Sequence, residues 1–521
     1  MLDALPGSRA ELAARFAGTL SFGTAGLRGR LRAGPNGMNL AVVSRAAAGL
    51  IGWLAAQGAP GPLVIGYDAR HGSLDFARQT ARIATGAGRE ALLLPGPLPT
   101  PVLAYAVRSL GAVAGVMVTA SHNPPQDNGY KVYLGAALGG ARGTGAQIVP
   151  PADAEIEAAI QAVPSIASVP LGEPGTVLDD GIVSGYVDAA VAVLGSGPRE
   201  LSIAYTPLHG VGGAVAAEAF DRAGFGTVRV VSEQAEPDPA FPTVAFPNPE
   251  EPGAMDLLLA LAAGTGADLA IANDPDADRC AVAIPARAGS WLPLTGDQLG
   301  VLLADQLIRR GSPGTYATTI VSSTMLQALC AARKVPYTET LTGFKWIVRG
   351  AEELAYGYEE ALGYCVAPRL VRDKDGITAA LLVAELAAAL KAEGRTVQDR
   401  LDELDAEFGV HRTAQLSARM DDLTEIARTM GWIRANPPAT LLGEPVTEIE
   451  DRLPGADVLT LRTATVRVVI RPSGTEPKLK AYLERIVPVT DGDPTAARTR
   501  ADAAITTLRT EIAAALGLPG R

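Results

Sequence analysis

Short apolar runs alternate with longer amphipathic stretches along this chain, the pattern of strands followed by helices in α/β proteins. PLVIGYDAR (62–70), AGVMVTASH (114–122), LSIAYTPLHG (201–210), DLAIANDPDADR (268–279) and TYATTIVSS (315–323) look alike. Each is a β-rich run that ends in small, polar or charged residues, most with a helical pattern following. In open parallel sheets the loops at the carboxyl ends of strands are where ligands bind. ITAALLVAELAAALKAEG (377–394) predicts a long alanine-rich helix. The pattern changes at SGPRELSIAY (196–205), at IRRGSPGTYA (308–317) and around residues 405–412. The expected domains are therefore 1–197, 198–312, 313–408 and 409–521. The last, with the strand-like VLTLRTATVRVVIRPSGTEPKLKAYLE (458–484), reads as α+β.

Composition sharpens this picture. At 521 residues the chain exceeds one ordinary core, and 48% hydrophobic with 19% charged residues describes a buried globular protein. A formal net charge of −11 argues against non-specific binding to nucleic acid or anionic membranes, though a local basic pocket can still hold an anionic substrate. Cys280, Cys330 and Cys365 form no CxxC pair, and the start of the chain shows no signal peptide. No run is long enough for a membrane helix. The expectation is a cytoplasmic protein with free thiols, a monomer or homodimer.

The candidate chemistry sits in the strand-end loops. NDPDADRC places Asp274, Asp276 and Asp278 at alternate positions, so the three carboxylates share one side of an extended loop. Such charges repel unless a cation neutralises them, and an all-oxygen donor set suits Mg²⁺. An EF-hand does not fit, because the sixth loop position is Arg279 and the twelfth is Pro285. VIRPSGTEPKLKAYLE (469–484) brackets Ser473, Gly474 and Thr475 with Arg471 and Lys478, a combination that can form an anion-binding nest. SFGTAGLRG supplies Thr24 and Arg28, LTGFKWIVRG supplies Gly343 and Lys345, YEEALGY supplies Glu359 and Glu360, and VRDKDG supplies Lys374. VTASHNPPQDNGYKVY (118–133) adds Ser121, His122 and Lys131.

Taken together, TASHNPP, DPDADR, EEALG and RPSGTEPK resemble the α-D-phosphohexomutase superfamily in order and spacing, over essentially the whole chain. FGTAGLRG, TGFKWI and RDKDG look more like its phosphoglucomutase and phosphopentomutase branch. The resemblance implies four domains around a cleft, the first three of related α/β/α topology and the last a C-terminal α+β domain. It implies that Ser121 carries a phosphoryl group, that Mg²⁺ is held by Ser121, Asp274, Asp276 and Asp278, and that a sugar 1,6-bisphosphate primes the enzyme. Lys131 matches the family's acid/base lysine, expected to have a lowered pKa among cations and metal. Arg28 and Arg279 would add positive charge, and His122 would orient or assist beside the serine.

Some relatives carry a histidine in the sugar loop. EEALGY has none, so Lys374 becomes the candidate for the second proton shuttle. Thr24, Gly343, Lys345, Glu359 and Glu360 would bind sugar, and Arg471, Ser473, Gly474, Thr475 and Lys478 would grip the non-reacting phosphate. The 405–412 segment would hinge the last domain. The implied reaction interconverts sugar 1- and 6-phosphates, with glucose first and mannose or a pentose as alternatives. A metal-dependent sugar phosphatase and a non-catalytic sugar-phosphate-binding protein are the competing readings. A phosphatase needs no second phosphate grip, and a binding protein needs no serine, acidic triad and lysine together.

Overall fold

The computed structural model describes residues 9–23, 25–286, 289–420, 423–473, 478–490 and 492–518. The chain divides into two compact units, Met1–Thr318 with Pro336–Thr396, and Thr319–Val335 with Val397–Arg521.

The first unit holds three sheets, apart from the last residue of β13. One contains β1 (Leu27–Arg30), β2 (Leu63–Tyr67), β3 (Ala91–Leu93), β4 (Ala114–Val118), β5 (Asp127–Leu134), β6 (Ala146–Gln147) and β7 (Thr176–Val177). The next contains β8 (Ser202–Thr206), β9 (Thr227–Val230), β10 (Leu269–Asn273), β11 (Cys280–Pro285) and β12 (Trp291–Pro293). The third is β13 (Thr315–Thr319), β14 (Tyr337–Thr340), β15 (Leu354–Glu359) and β16 (Gly363–Cys365).

Their cores share one strand order: β5-β4-β2-β3, β11-β10-β8-β9 and β16-β15-β13-β14. In each, the second strand of that order runs parallel to the third and antiparallel to the first. The related topology implied for the first three segments is thus present. The antiparallel hairpins β4–β5, β10–β11 and β15–β16 occupy equivalent places, and their tips carry Ser121, the aspartates and Glu359–Glu360.

Local sequence explains these elements. β4 is apolar along its whole length and β10 as far as its last residue, Asn273, and every residue of both is buried, as in sheets covered on both faces. The helix Leu40–Ala56 starts at Asn39, whose side chain accepts from the Val42 amide at 3.1 Å. The predicted alanine-rich helix runs Gly376–Ala392 and is apolar on nearly all sides, because it is buried among all its neighbours.

The second unit is built on an antiparallel sheet. It comprises β17 (Val410–Arg419), a small ribbon of β18 (Thr440–Leu441) and β19 (Glu444–Pro445), then β20 (Glu448–Asp451), β21 (Leu459–Arg462), β22 (Val466–Pro472) and β23 (Lys478–Val487). The main sheet runs β17-β23-β22-β21-β20. Val468, Ile470 and Leu483 pack in one core with Ile505, Leu508 and Ile512 of the helix Pro494–Ala515. Each such burial contributes about 1.5–3 kcal/mol. Among the described residues no helix is long and apolar enough to cross a membrane, and Cys280, Cys330 and Cys365 are buried free thiols.

Candidate active site

Three hairpin tips in the first unit each hold one non-glycine residue in the left-handed region: Ser121 (φ 52°), Ala277 (φ 52°) and Leu362 (φ 62°). Such backbone is uncommon for L-residues and gathers at functional loops. At the first tip the Ser121 amide donates to Thr119 Oγ1 at 2.9 Å, which closes the turn and aims the serine side chain. Ser121 Oγ donates to Asp274 Oδ2 at 2.8 Å and lies 3.1 Å from His122 Nδ1. Burial, together with Arg279 and Arg28, pushes the His122 imidazole well below its ordinary pKa, so the ring is neutral.

Asp274, Asp276 and Asp278 are fully buried, and ligand atoms from all three lie within 4.8 Å of one another. Burial and the charges of Asp276 and Asp278 drive the pKa of Asp274 well above the ordinary carboxylate value. Oδ1 of Asp276 and Oδ1 of Asp278 are buried without a hydrogen-bond partner. Buried orphan carboxylate oxygens are costly. Two of them in an all-oxygen donor set fit a hard divalent cation, so the triad could hold one.

Cations surround the triad. Lys131, on β5, reaches Asp276 Oδ2 at 2.8 Å and Asp278 Oδ2 at 3.2 Å. Lys374 also reaches Asp278 Oδ2, at 3.2 Å, and lies 5.5 Å from the centroid of the Phe344 ring. The Arg279 amide donates to Asp274 Oδ1 at 3.0 Å, and its guanidinium faces Glu250 at 3.5 Å and Asp274 at 3.9 Å. Arg28 donates to Asn123 Oδ1 at 3.2 Å, which ties the glycine-rich loop to the serine loop. Gly26 permits this approach: at φ +75°, a Cβ there would sit 1.8 Å from the Tyr130 carbonyl oxygen.

The sequence argument expects a depressed lysine at position 131. That expectation counts the charge of a bound cation; the protein's own groups pull the other way. Burial alone would lower the Lys131 pKa, but Asp276 and Asp278 outweigh it and hold the ammonium protonated. Carboxylates, not cations, are its nearest charged neighbours. Lys374 behaves in the same way, with Asp278, Asp373 and Glu359 outweighing burial. Burial raises the pKa of Glu359 against the opposing pull of Lys374 and Arg279.

The fold thus brings together Ser121, His122, Lys131, Arg28, Arg279, Lys374, the aspartates and Glu359. Glu360 follows Glu359 at the third hairpin tip. From the LTGFKWI stretch it is Phe344 that meets Lys374, while Gly343 (φ 106°) caps the short helix Phe344–Ile347 that includes Lys345. Arg471, Ser473 and Lys478 belong to the second unit, at the β22–β23 turn, where the Ser473 amide donates to the Lys478 carbonyl at 2.8 Å. Thr24, Gly474 and Thr475 lie outside the described residues.

Some participants carry little sequence signal. Thr100 donates its hydroxyl to Asp276 Oδ2 (2.6 Å) and its amide to the Asp276 carbonyl (2.9 Å), fixing one aspartate from the start of the helix Thr100–Ser109. Asp373 accepts from Tyr133 (2.8 Å) and Gln147 (2.8 Å) and, with its other oxygen, from the Lys374 amide (2.9 Å). A threonine at a helix start reads as a cap, and only the tertiary structure gives it this second partner.

Four family models match in order, described as phosphoglucomutase/phosphomannomutase alpha/beta/alpha domains I (residues 19–166), II (184–287) and III (295–408), and the C-terminal domain (433–514). The chain is 45% identical to the "Probable phosphomannomutase" of Haemophilus influenzae, over 86% of this chain and 93% of that one. It is 32% identical to the phosphoglucomutase of Staphylococcus aureus strain MSSA476, over 90% of each. The crystal structure of parafusin, a phosphoglucomutase from Paramecium, has the same fold at 20% identity, with a TM-score of 0.73 over 97% of this chain and 96% of that one. The chain belongs to the phosphoglucomutase/phosphomannomutase family and is a phosphosugar mutase of the phosphohexomutase fold.

Proposed function

We propose that the enzyme interconverts a hexose 1-phosphate and its 6-phosphate, glucose first, through phosphorylated Ser121 and a bound 1,6-bisphosphate. The observation that carries this reading is the Ser121 hydroxyl, 2.8 Å from a carboxylate of the buried triad. Asp274, Asp276 and Asp278, with the Ser121 phosphoryl oxygens, would hold Mg²⁺, which supplies neutralisation of phosphoryl charge.

This chain's own residues do the rest. In the first transfer the P–O bond to Ser121 Oγ breaks and a P–O bond to the attacking sugar hydroxyl forms. The hydroxyl's proton leaves, and one proton must reach the released serine oxygen. Lys131 would give a proton to the released serine oxygen and take one from the attacking hydroxyl, so that it ends the transfer in the protonation state in which it began. Lys374, beside Asp278, is the candidate for the second shuttle. The return transfer, with the sugar turned end for end, reverses these bonds at the other phosphate. Arg28 and Arg279 contribute positive charge, and neutral His122 accepts from or orients the serine hydroxyl. Glu359 and Glu360, with Gly343, Lys345 and Thr24, take the sugar and its approach. Arg471, Ser473, Gly474, Thr475 and Lys478 grip the phosphate that is not reacting.

A sugar 1,6-bisphosphate would prime enzyme that has lost its phosphoryl group. Mannose is the second reading, supported by the more identical Haemophilus relative. The test is Ser121→Ala, assayed with glucose 1-phosphate, Mg²⁺ and a bisphosphate primer. Turnover should vanish while the fold, judged by circular dichroism, persists; full activity would refute the assignment. Relative kcat/KM on glucose, mannose and ribose 1-phosphates then ranks the sugars.

A further inference from the structure

Arg70 stands just past β2, with a side chain only 1% exposed. Four backbone carbonyls of the serine loop converge on it. Nη1 donates to the oxygens of Pro124 (2.9 Å) and Asp127 (3.2 Å), and Nη2 to those of Ser121 and Asn123, both at 2.5 Å. Nε faces Asp68 Oδ2 at 3.4 Å. Asp68 is itself fixed, since its Oδ1 accepts from the Arg70 amide (3.0 Å) and the Ser73 hydroxyl (2.7 Å).

The guanidinium also lies over the Phe241 ring, 4.9 Å from its centroid. Phe241 is buried and held at φ 47°, a backbone conformation uncommon for a bulky residue. Its segment is tied to the metal loop by backbone hydrogen bonds. The Phe241 amide donates to Asp238, the Asp238 amide to His209, and the Val211 amide to Pro275, between Asp274 and Asp276. Arg70 therefore holds the carbonyl of Ser121 directly, and the ring it rests on belongs to a loop tied through the 209–211 segment to the aspartate loop.

We infer that Arg70 is a positioning residue for phosphoryl transfer, registering the 121–127 loop against the Asp274–Asp278 loop so that Ser121 Oγ is in line. The inference rests on the reading of Ser121 as the phosphoryl carrier. Arginine suits the task because its planar fork offers five donors in fixed directions, whereas a lysine ammonium is a point charge that cannot span four carbonyls. The charge against Asp68 survives in Arg70→Lys, but the register does not. A misplacement of about 1 Å costs a reaction roughly 10²-fold.

The experiment uses the full chain with Mg²⁺, glucose 1-phosphate and glucose 1,6-bisphosphate. Parent, Arg70→Lys and Phe241→Leu are compared for kcat, KM, melting temperature and the rate at which the bisphosphate labels Ser121, read by mass spectrometry. Arg70→Lys should lose about 10²-fold in kcat and in labelling rate, with KM within about twofold, and Phe241→Leu should lose about tenfold in the same two quantities. Folded variants that label and turn over at the parent's rate would overturn the inference, as would a rise confined to KM. If Arg70→Lys does not fold, Phe241→Leu decides alone by the same criteria. A parent that never acquires label at Ser121 refutes the carrier reading instead, so the two failures are told apart.

Discussion

Asp276 shows how a single side chain is set by several demands at once. One of its oxygens accepts from Lys131 and Thr100, while the other is buried with no partner. Burial raises its pKa, yet Lys131 and Thr100 more than offset this and keep the carboxylate ionised. Asp276→Asn preserves shape but removes the charge that a divalent ligand requires. The expected outcome is a weaker Mg²⁺ titration and a slower turnover, falling together by about 10²-fold or more; an unchanged titration would remove Asp276 from the ligand set. Thr100→Val should act in the same direction but more mildly, by roughly the 10–100-fold typical of groups that orient a ligand.

At the scale of elements, β23 illustrates what a buried charge does for packing. Glu484 is 2% exposed and accepts from Ser323 (2.9 Å), the Thr324 amide (2.8 Å) and His411 (3.1 Å), with Arg467 at 3.0 Å on its other oxygen. Burial works against the carboxylate, but Arg467 and His411 prevail and hold its pKa at about 2, against an ordinary 4.5. The folded pKa is the lower one, so the stabilisation is present above about pH 4.5 and is lost as pH falls through about 2. Glu484→Gln leaves Arg467 buried without its counter-charge and should cost about 3–5 kcal/mol at pH 7. In urea unfolding, the gap between parent and variant should shrink as the pH drops below 4.5. A gap that is constant with pH would mean that the glutamate acts by shape and not by charge.

For the whole molecule, the three sheets of one strand order place the serine, the aspartates and the glutamates at equivalent hairpin tips. A site distributed in this way is sensitive to loop register, which is why clips such as Arg70 matter. The phosphate grip proposed for the 471–478 segment makes a separate kinetic prediction. Arg471→Ala should raise KM for the monophosphate about tenfold or more with little change in kcat, since a non-reacting phosphate is held alike in ground and transition states. A loss confined to kcat would assign that turn another task.

Local sequence determined a great deal. Apolar runs specified the buried strands, alternate aspartates specified the acidic loop, and the motifs around Ser121, Asp274, Glu359 and Arg471 specified the family. These signals are legible because strand burial and ligand chemistry constrain neighbouring residues, within reach of a short window. What the tertiary structure alone decided are contacts between residues far apart in the chain. It paired Thr100 with Asp276 and set the Phe344 ring against Lys374. It set Lys131 against two of the aspartates, and turned an arginine at a strand end into the clip of the serine loop. Electrostatics and register depend on distances through space, and a pattern along the chain does not fix those distances.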